Sequence, residues 1–218
     1  MQIQSVEEYT NTQVLEQTKY AAKVAHELLL KISEAIKPGI SESQAKVKSF
    51  EIFEKSGVKK HWHNPYIRFG TNTILTFKDK VEKNIILQEE DIAYIDIGPI
   101  IDDVEGDAGH TLIFGENKLF KELQSQSENI FKLGSEFWRK SKPTGIELYK
   151  YIIDLAKKTN FKFNLNPAGH LIGSFPHKGW KEGLHIYPYV PEPGYWILEV
   201  QIRHPEKPYG AFYEAVLL

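Results

Sequence analysis

The chain has 218 residues, of which 41% are hydrophobic, and this is enough to form a sizeable core in one large domain. A net charge of -2 and a pI near 6.5 give no general attraction for nucleic acids or acidic membranes, so neither is an expected partner. Because there is no cysteine, disulfides and thiolate ligands are excluded, and a metal site would have to use His, Asp and Glu.

The N-terminal part of the chain predicts two helices. Its first residues lack the basic and apolar regions of a signal peptide, and no apolar run is long enough to cross a membrane, which predicts a cytoplasmic location. Apolar residues then recur every three or four positions over residues 14–36, which predicts a long amphipathic helix. Ser41 and Gln44 have the spacing of a capping box and predict the start of a second helix.

The remaining elements alternate between short strands and helices. Strands are predicted at residues 71–77, 91–101 and 106–115, helices at 117–140 and 145–160, and strands around Glu199 and over residues 209–218. No repeat or linker divides the chain. This order predicts an α+β fold in which helices pack on an antiparallel sheet, as a single domain over residues 1–218.

Asp96 and Asp107 are two carboxylates in a segment that otherwise resembles a β-hairpin, YIDIGPIIDDVEGDAGHT. If the chain turns back between them, they become cross-strand neighbours or nearly so, with Cβ atoms about 5 Å apart. Facing carboxylates in a half-buried position destabilise a fold unless they are protonated or neutralised by a cation. An Asp pair is commonly one turn residue and one solvated edge residue, but Asp102, Asp103 and Glu105 already supply the polar residues of this turn. A divalent cation is therefore the favoured interpretation.

Further ligands are predicted where one ionisable residue interrupts an otherwise apolar segment. These residues are His170 in AGHLIG, Glu199 in WILEVQI and Glu214 in AFYEAVL. Each alone would more commonly be a hydrogen-bonded core residue or half of a salt bridge, but their coincidence with the Asp pair favours a metal site. Four carboxylates and one imidazole balance two divalent ions, and this oxygen-rich set favours manganese, ferrous iron or cobalt over a structural zinc. Two such ions, about 3.5 to 4 Å apart, would share a bridging hydroxide.

The order of these residues resembles the pita-bread metallopeptidases, which comprise methionine aminopeptidases, Xaa-Pro aminopeptidases, prolidases and creatinase relatives. The resemblance rests on DIGPIIDDVEGD, GHLIGSFPH, Glu199 and the YE pair at 213–214, and IKPGIS and LHIY extend it over most of the chain. It implies the pita-bread fold, an antiparallel sheet covered by helices. It also implies a metal-dependent aminopeptidase of the Xaa-Pro or methionine type that acts on a peptide or small amide.

The resemblance also implies a role for each site residue. The two metal ions would be held by Asp96, Asp107, His170, Glu199 and Glu214. Asp107 and Glu214 would bridge the ions, and Glu199 would also be the proton shuttle. His177, seven residues after His170, corresponds to the histidine that contacts the scissile amide or the developing oxyanion.

One departure from the family pattern bears on the substrate. The aminopeptidases keep a histidine where this chain has Phe77, and His61 and His63 are either substitutes that approach from the preceding loop or solvated surface residues. Two alternatives to the aminopeptidase therefore stay open. One is a metal-dependent hydrolase of a non-peptide amide, and the other is a non-catalytic pita-bread module that binds a peptide or protein.

The other departures leave the predicted ligands intact. Val200 stands where the family has a proline, Phe212 occupies a usually polar position, and His110 replaces an arginine. Three aromatic residues of the last third are expected either to line a side-chain pocket or to fill the core behind the sheet, namely Trp180, Tyr187 and Trp196.

Overall fold

A computed structural model describes residues 12–166 and 168–218. The N-terminal half comprises α1 (Thr12–Ala35), α2 (Glu42–Lys55), β1 (Lys60–Phe69), a 3₁₀ turn (Gly70–Ile74), β2 (Asp91–Ile101), β3 (Val104–Glu105) and β4 (Ala108–Phe114). The C-terminal half comprises α3 (Lys118–Ser141), α4 (Gly145–Ala156), β5 (Lys162–Asn164), a second 3₁₀ turn (Leu184–Ile186), β6 (Ile197–Arg203) and β7 (Gly210–Val216).

Within the described residues, seven strands form one antiparallel sheet. The order across the sheet is β1-β2-β4-β7-β6-β5, and β3 pairs with β2. Asp102 and Asp103 close the β2–β3 hairpin with φ angles of 48° and 61°, the left-handed conformation that a two-residue hairpin turn requires. The same register continues into β4 and places Asp96 opposite Gly109.

The helices cover one face of this sheet and form two hydrophobic clusters with it. α1 and α2 pack against β1, β2 and β4, whereas α3 packs against β6 and β7, and α4 packs against α3. Ile95 and Ile97 are fully buried in the first cluster, and Leu198 is fully buried in the second. Because side chains alternate along a strand, Asp96 and Glu199 project from the opposite face. The candidate site therefore lies on the face that these helices leave open.

The predicted α+β fold with an antiparallel sheet is confirmed, as are the four helices of the described segment and the capping box of Ser41 and Gln44. The predicted strand at residues 71–77 is wrong, because the chain forms a 3₁₀ turn there. Asn72 in this turn donates to both carboxylate oxygens of the buried Glu42, at 3.0 and 2.9 Å, and these tertiary bonds override the strand propensity of Thr and Ile. The strand lies earlier, as β1. No described helix is both long and apolar enough to cross a lipid bilayer.

Candidate metal centre

One row of paired residues carries three of the predicted ligands across four strands. Asp96 on β2 pairs with Gly109 on β4, Gly109 pairs with Glu214 on β7, and Glu214 pairs with Glu199 on β6. Neighbouring strands are about 4.8 Å apart, so the backbones of Asp96 and Glu214 are separated by about 10 Å. The Glu214 side chain nevertheless reaches towards Asp96, and burial, together with the charge of Asp96, raises the pKa of Glu214. This side chain passes over Gly109, where a Cβ atom would lie 2.6 Å from Glu214 Oε1.

Asp107 and His170 complete the predicted set. Asp107 immediately precedes β4 and is a diagonal and not a direct neighbour of Asp96, because the turn centres on Asp102 and Asp103. This agrees with the expectation that the two residues are cross-strand neighbours or nearly so. A diagonal neighbour on the same face is still within reach. His170 lies in the segment between β5 and β6, and its Nε2 is 2.9 Å from Asp107 Oδ2 and 3.6 Å from Glu199 Oε1. The structure thus brings all five predicted residues together.

The structure adds one histidine to this group. His63 lies on β1, with Nε2 3.3 Å from Asp96 Oδ1 and 3.6 Å from Asp107 Oδ1. Its side chain is only 12% exposed, so the solvated alternative considered from the sequence is wrong for this residue. The solvated alternative is correct for His61, which is exposed and hydrogen-bonds Asn64 Oδ1. The ligand atoms of His63, Asp96 and Asp107 all lie within 4.8 Å of one another, which is close enough to hold a metal ion.

The pKa values show that this cluster needs positive charge. Burial raises the pKa of Asp96 to about 6 and that of Glu199 to about 7, and it also raises the pKa of Glu214. Burial alone would lower the histidine values, but the neighbouring carboxylates outweigh it and raise the pKa of both His63 and His170 to about 9. Protons on imidazole and carboxyl groups supply the required charge, and divalent cations would supply it equally well.

The hydrogen bonding of the carboxylates also fits bound cations. Three buried oxygens have no hydrogen-bond partner among the described residues, namely Asp107 Oδ1, Glu199 Oε2 and Glu214 Oε1. Such oxygens are costly to bury, and a shared cation would satisfy them. Carboxylate and imidazole donors are those preferred by divalent ions such as manganese, cobalt and ferrous iron.

His177 is held in place by Glu105, a residue that the sequence pattern indicated only as part of the turn. Glu105 is 3% exposed, and its Oε2 accepts from His177 Nδ1 at 2.6 Å and from the backbone N–H of Gly173 at 3.1 Å. The pair fixes the ring orientation of His177 and leaves Nε2 directed away from Glu105. The sequence did contain a signal for Glu105, because a two-residue turn is already supplied with polar residues by Asp102 and Asp103.

The aromatic residues fall into two groups. Phe77 is 49% exposed and packs on Tyr66 at 6.3 Å between ring centroids, and Tyr66 stacks on His63 at 5.3 Å. The rings of Tyr66 and His63 therefore separate Phe77 from the carboxylates. Trp180, Tyr187 and Trp196 belong to, or pack against, the hydrophobic cluster of α3 and α4, which supports their alternative interpretation as core residues.

Three further residues differ from the family pattern, and the side chains of two of them point away from the candidate metal centre. Val200 is buried in the cluster of α3 and α4. His110 hydrogen-bonds Ser33 of α1 at 2.7 Å, which places it on the helix-covered face. Phe212 lies on the open face, with its ring 5.2 Å from that of Tyr94, and a Cβ on Gly109 would be 2.6 Å from its Cε1 atom. Of the three, only Phe212 therefore lies near the cluster.

Comparison with solved structures shows the fold. The X-Pro aminopeptidase of Thermotoga maritima superimposes with a TM-score of 0.80 at 19% identity, over 95% of this chain and 59% of that one. The prolidase of Pyrococcus furiosus gives 0.79 at 20% identity, over 94% of this chain and 60% of that one. The methionine aminopeptidase of Thermotoga maritima gives 0.71 at 19% identity, over 95% of this chain and 91% of that one. The chain therefore has the pita-bread fold and spans about three fifths of the first two proteins.

Sequence comparison gives the family. The methionine aminopeptidase of Aquifex aeolicus is 26% identical over 186 residues, which cover 80% of this chain and 71% of that protein. The model of metallopeptidase family M24 matches residues 16–211, a range that includes His63 and four of the five predicted ligands and ends just before Glu214. The chain therefore belongs to metallopeptidase family M24.

Proposed function

We propose that the protein is a metal-dependent aminopeptidase that hydrolyses the N-terminal peptide bond of a peptide at a centre of two divalent ions. The observation that carries this proposal is the convergence of four carboxylates and His170, with three buried oxygens that lack a hydrogen-bond donor. The residues proposed to hold the ions are Asp96, Asp107, His170, Glu199 and Glu214. Manganese, cobalt or ferrous iron suits this set better than a structural zinc.

The chemistry assigned to each residue follows from its position. Bound divalent cations would lower the pKa of a water molecule and polarise the scissile carbonyl. Glu199 has one oxygen without a hydrogen-bond partner and a pKa of about 7, raised by burial, which suits it to accept a proton and pass it to the leaving amine. Tyr149 holds the backbone of Glu199 in place, donating to its carbonyl oxygen at 3.1 Å.

His177 is assigned to the substrate side of the reaction. Glu105 accepts a hydrogen bond from Nδ1–H, so Nε2 is the atom left to face the substrate. A neutral ring would accept there from the scissile amide N–H, and an imidazolium would donate to the oxygen that develops negative charge. A substrate with a free N-terminal amine would place that amine among the carboxylates, which favours an exopeptidase. We also propose that the chain forms one catalytic domain, because a single sheet carries strands from both hydrophobic clusters. A cytoplasmic location stays a prediction.

The experiment that tests this function is amine release from a peptide panel by the manganese-loaded protein. The panel contains Met-Ala-Ser, Ala-Pro-Phe, a Gly-Pro dipeptide and N-acetylated versions, and the matched control is Asp107→Asn. We expect cleavage of free N-termini only, and none by the control, and the preferred peptide distinguishes the Xaa-Pro from the methionine type. No cleavage by a protein with confirmed metal would contradict the aminopeptidase and favour a non-peptide amide substrate or a binding role, as the phenylalanine at position 77 suggested.

A further inference from the structure

We propose that His63 is a ligand of the cation held by Asp96 and Asp107, so that each of the two ions receives one imidazole. The proposal rests on the metal centre of the proposed function and adds a sixth protein ligand to it. Neither the sequence pattern nor the family resemblance pointed to this role. None of the five ligands predicted from the sequence lies on β1.

The distances around His63 are close to those between ligands of one ion. Ligand atoms that each lie about 2.1 Å from a cation are about 3.0 Å apart in octahedral geometry and about 3.4 Å apart in tetrahedral geometry. Nε2 of His63 is 3.3 Å from Asp96 Oδ1 and 3.6 Å from Asp107 Oδ1. The second oxygen, Asp107 Oδ1, is one of the buried atoms without a hydrogen-bond donor. A cation between these three atoms would satisfy it.

The other ring nitrogen of His63 is arranged as in a metal ligand. Nδ1 lies 2.8 Å from the backbone carbonyl oxygen of Asn64, which can only accept, so Nδ1 carries the proton and donates it. His170 has the same arrangement, with Nδ1 3.0 Å from the carbonyl oxygen of the next residue, Leu171. A metal-binding histidine usually fixes its tautomer and orientation in this way. The two imidazoles thus each present Nε2 to Asp107, one at each carboxylate oxygen.

The backbone around His63 is shaped to direct this side chain into the centre. The pairing of β1 with β2 shifts once between His61 and His63 and again between His63 and Tyr66, so irregularities flank the residue on both sides. Bulges of this kind re-aim side chains and are common beside active sites. His63 pairs with Gly98, where a Cβ atom would lie 2.5 Å from His63 Nε2. The bare backbone of Gly98 therefore provides the space for the imidazole.

Trp62 braces both histidines. Its ring lies edge-on to His63 at 4.2 Å and to His170 at 4.9 Å between centroids, and its Nε1 donates to the carbonyl oxygen of Gly106 at 2.9 Å. The indole therefore ties β1 to the residue that precedes Asp107. One rigid ring contacts both imidazoles, which keeps them in fixed positions at the two oxygens of Asp107.

If His63 is a ligand, its loss should weaken the binding of some divalent ions more than that of others. Imidazole suits cobalt more than manganese, which prefers oxygen donors. Loss of one imidazole should therefore weaken cobalt binding more than manganese binding. A residue that only supported the shape of the site would weaken both ions equally.

The test is a calorimetric titration of the full chain with Co²⁺ and with Mn²⁺, with metal content measured after dialysis. The variants are His63→Ala and His63→Gln, and the matched control is His61→Ala, which removes an exposed histidine from the same strand. Thermal melts of the metal-free proteins establish that each variant folds. We expect two ions per wild-type chain, and in both His63 variants one site whose Co²⁺ affinity falls by about 100-fold or more, with a smaller fall for Mn²⁺.

The outcomes separate this proposal from the proposed function. Wild-type binding of both ions in either His63 variant, or equal losses for Co²⁺ and Mn²⁺, would overturn the role of His63 and leave the metal centre intact. Retained metal with reduced turnover would also overturn it and would make His63 a substrate contact. A wild-type chain that bound fewer than two ions would instead contradict the two-ion centre of the proposed function.

Discussion

The side chain of Glu214 occupies the space above Gly109, where a Cβ atom would lie 2.6 Å from Glu214 Oε1. This relationship allows a carboxylate on β7 to reach Asp96 on β2 across the intervening strand. A residue with a side chain at this position of β4 would push the two carboxylates apart. The absence of a side chain at Gly109 is therefore a requirement of the centre.

Gly109→Ala should weaken metal binding by at least about 10-fold, because Glu214 must move away from Asp96. Titration with Mn²⁺ measures this, and a melt of the metal-free variant shows whether it folds, since the added Cβ would also lie 2.6 Å from Phe212 Cε1. Gly173→Ala is the matched control, because a Cβ there has its nearest contact at 3.8 Å. Unchanged Mn²⁺ affinity in Gly109→Ala would show that Glu214 is not a ligand.

Glu105 and His177 should act as one unit in turnover. We expect His177→Ala to lower kcat by about 10²- to 10³-fold by removing the imidazole that contacts the scissile amide or the developing oxyanion. Glu105→Gln should lower kcat by about 10-fold, because the neutral amide holds the imidazole less firmly than the carboxylate does. Both variants should keep wild-type metal content.

A double variant of these two residues tests the coupling. Glu105→Gln should have no further effect on kcat in the His177→Ala background, since the residue that it orients is already absent. Additive losses of kcat would show that Glu105 acts independently. Loss of metal in His177→Ala would show that this histidine supports the centre and not the substrate.

His110 should make folding stability fall as the pH falls. Burial, assisted by the charge of His26, lowers the pKa of His110 to about 4 in the folded protein, whereas an unfolded histidine has a pKa of about 6.5. The unfolded state therefore binds more protons between these values, and stability decreases as the pH drops below about 6.5. Between pH 7.5 and pH 5, His110 should contribute a loss of about 1 to 2 kcal/mol in the free energy of unfolding.

Urea unfolding of wild type and His110→Gln at these two pH values measures this contribution. Glutamine is neutral throughout and can still donate to Ser33, so the variant should lose less stability on acidification by that amount. His61→Gln, which changes an exposed histidine, should behave like the wild type. Equal pH dependence of His110→Gln and wild type would show that His110 titrates alike in the folded and unfolded states.

Metal removal should lower the melting temperature. An ion present at 100 times its Kd stabilises the folded state by about 2.7 kcal/mol, which corresponds to about 5 to 10 °C for a chain of this size. Asp107→Asn should abolish the difference between Mn²⁺ and excess chelator, whereas Asp154→Asn, at an exposed aspartate, should retain it. A wild-type melt that does not change in excess chelator would indicate that the carboxylates bind no ion.

The sequence was most informative where one ionisable residue interrupts an apolar strand. Asp96 between two isoleucines and Glu199 between Leu198 and Val200 were recognisable because a buried carboxylate needs a partner. Alternation also places each of them on the face opposite the apolar neighbours, which is where the structure has them. The capping box at Ser41 was equally local and is confirmed.

The parts that the sequence did not predict depend on contacts between distant segments. His63 lies in a polar and aromatic stretch that gives no apolar contrast, and its direction depends on two shifts in the pairing of β1 with β2. The offset between Asp96 and Asp107 depends on the centre of the hairpin turn, and moving that centre by one residue changes the pairing. The turn at Gly70–Ile74 depends on Glu42, from a different element.

The four carboxylates and His170 are proposed to hold two divalent ions, and anomalous X-ray diffraction from crystals soaked in Mn²⁺ tests this most directly. We expect two anomalous peaks about 3.5 to 4 Å apart among Asp96, Asp107, His170, Glu199 and Glu214. A single peak, or none at this face of the sheet in crystals that were demonstrably exposed to the metal, would contradict the two-ion centre.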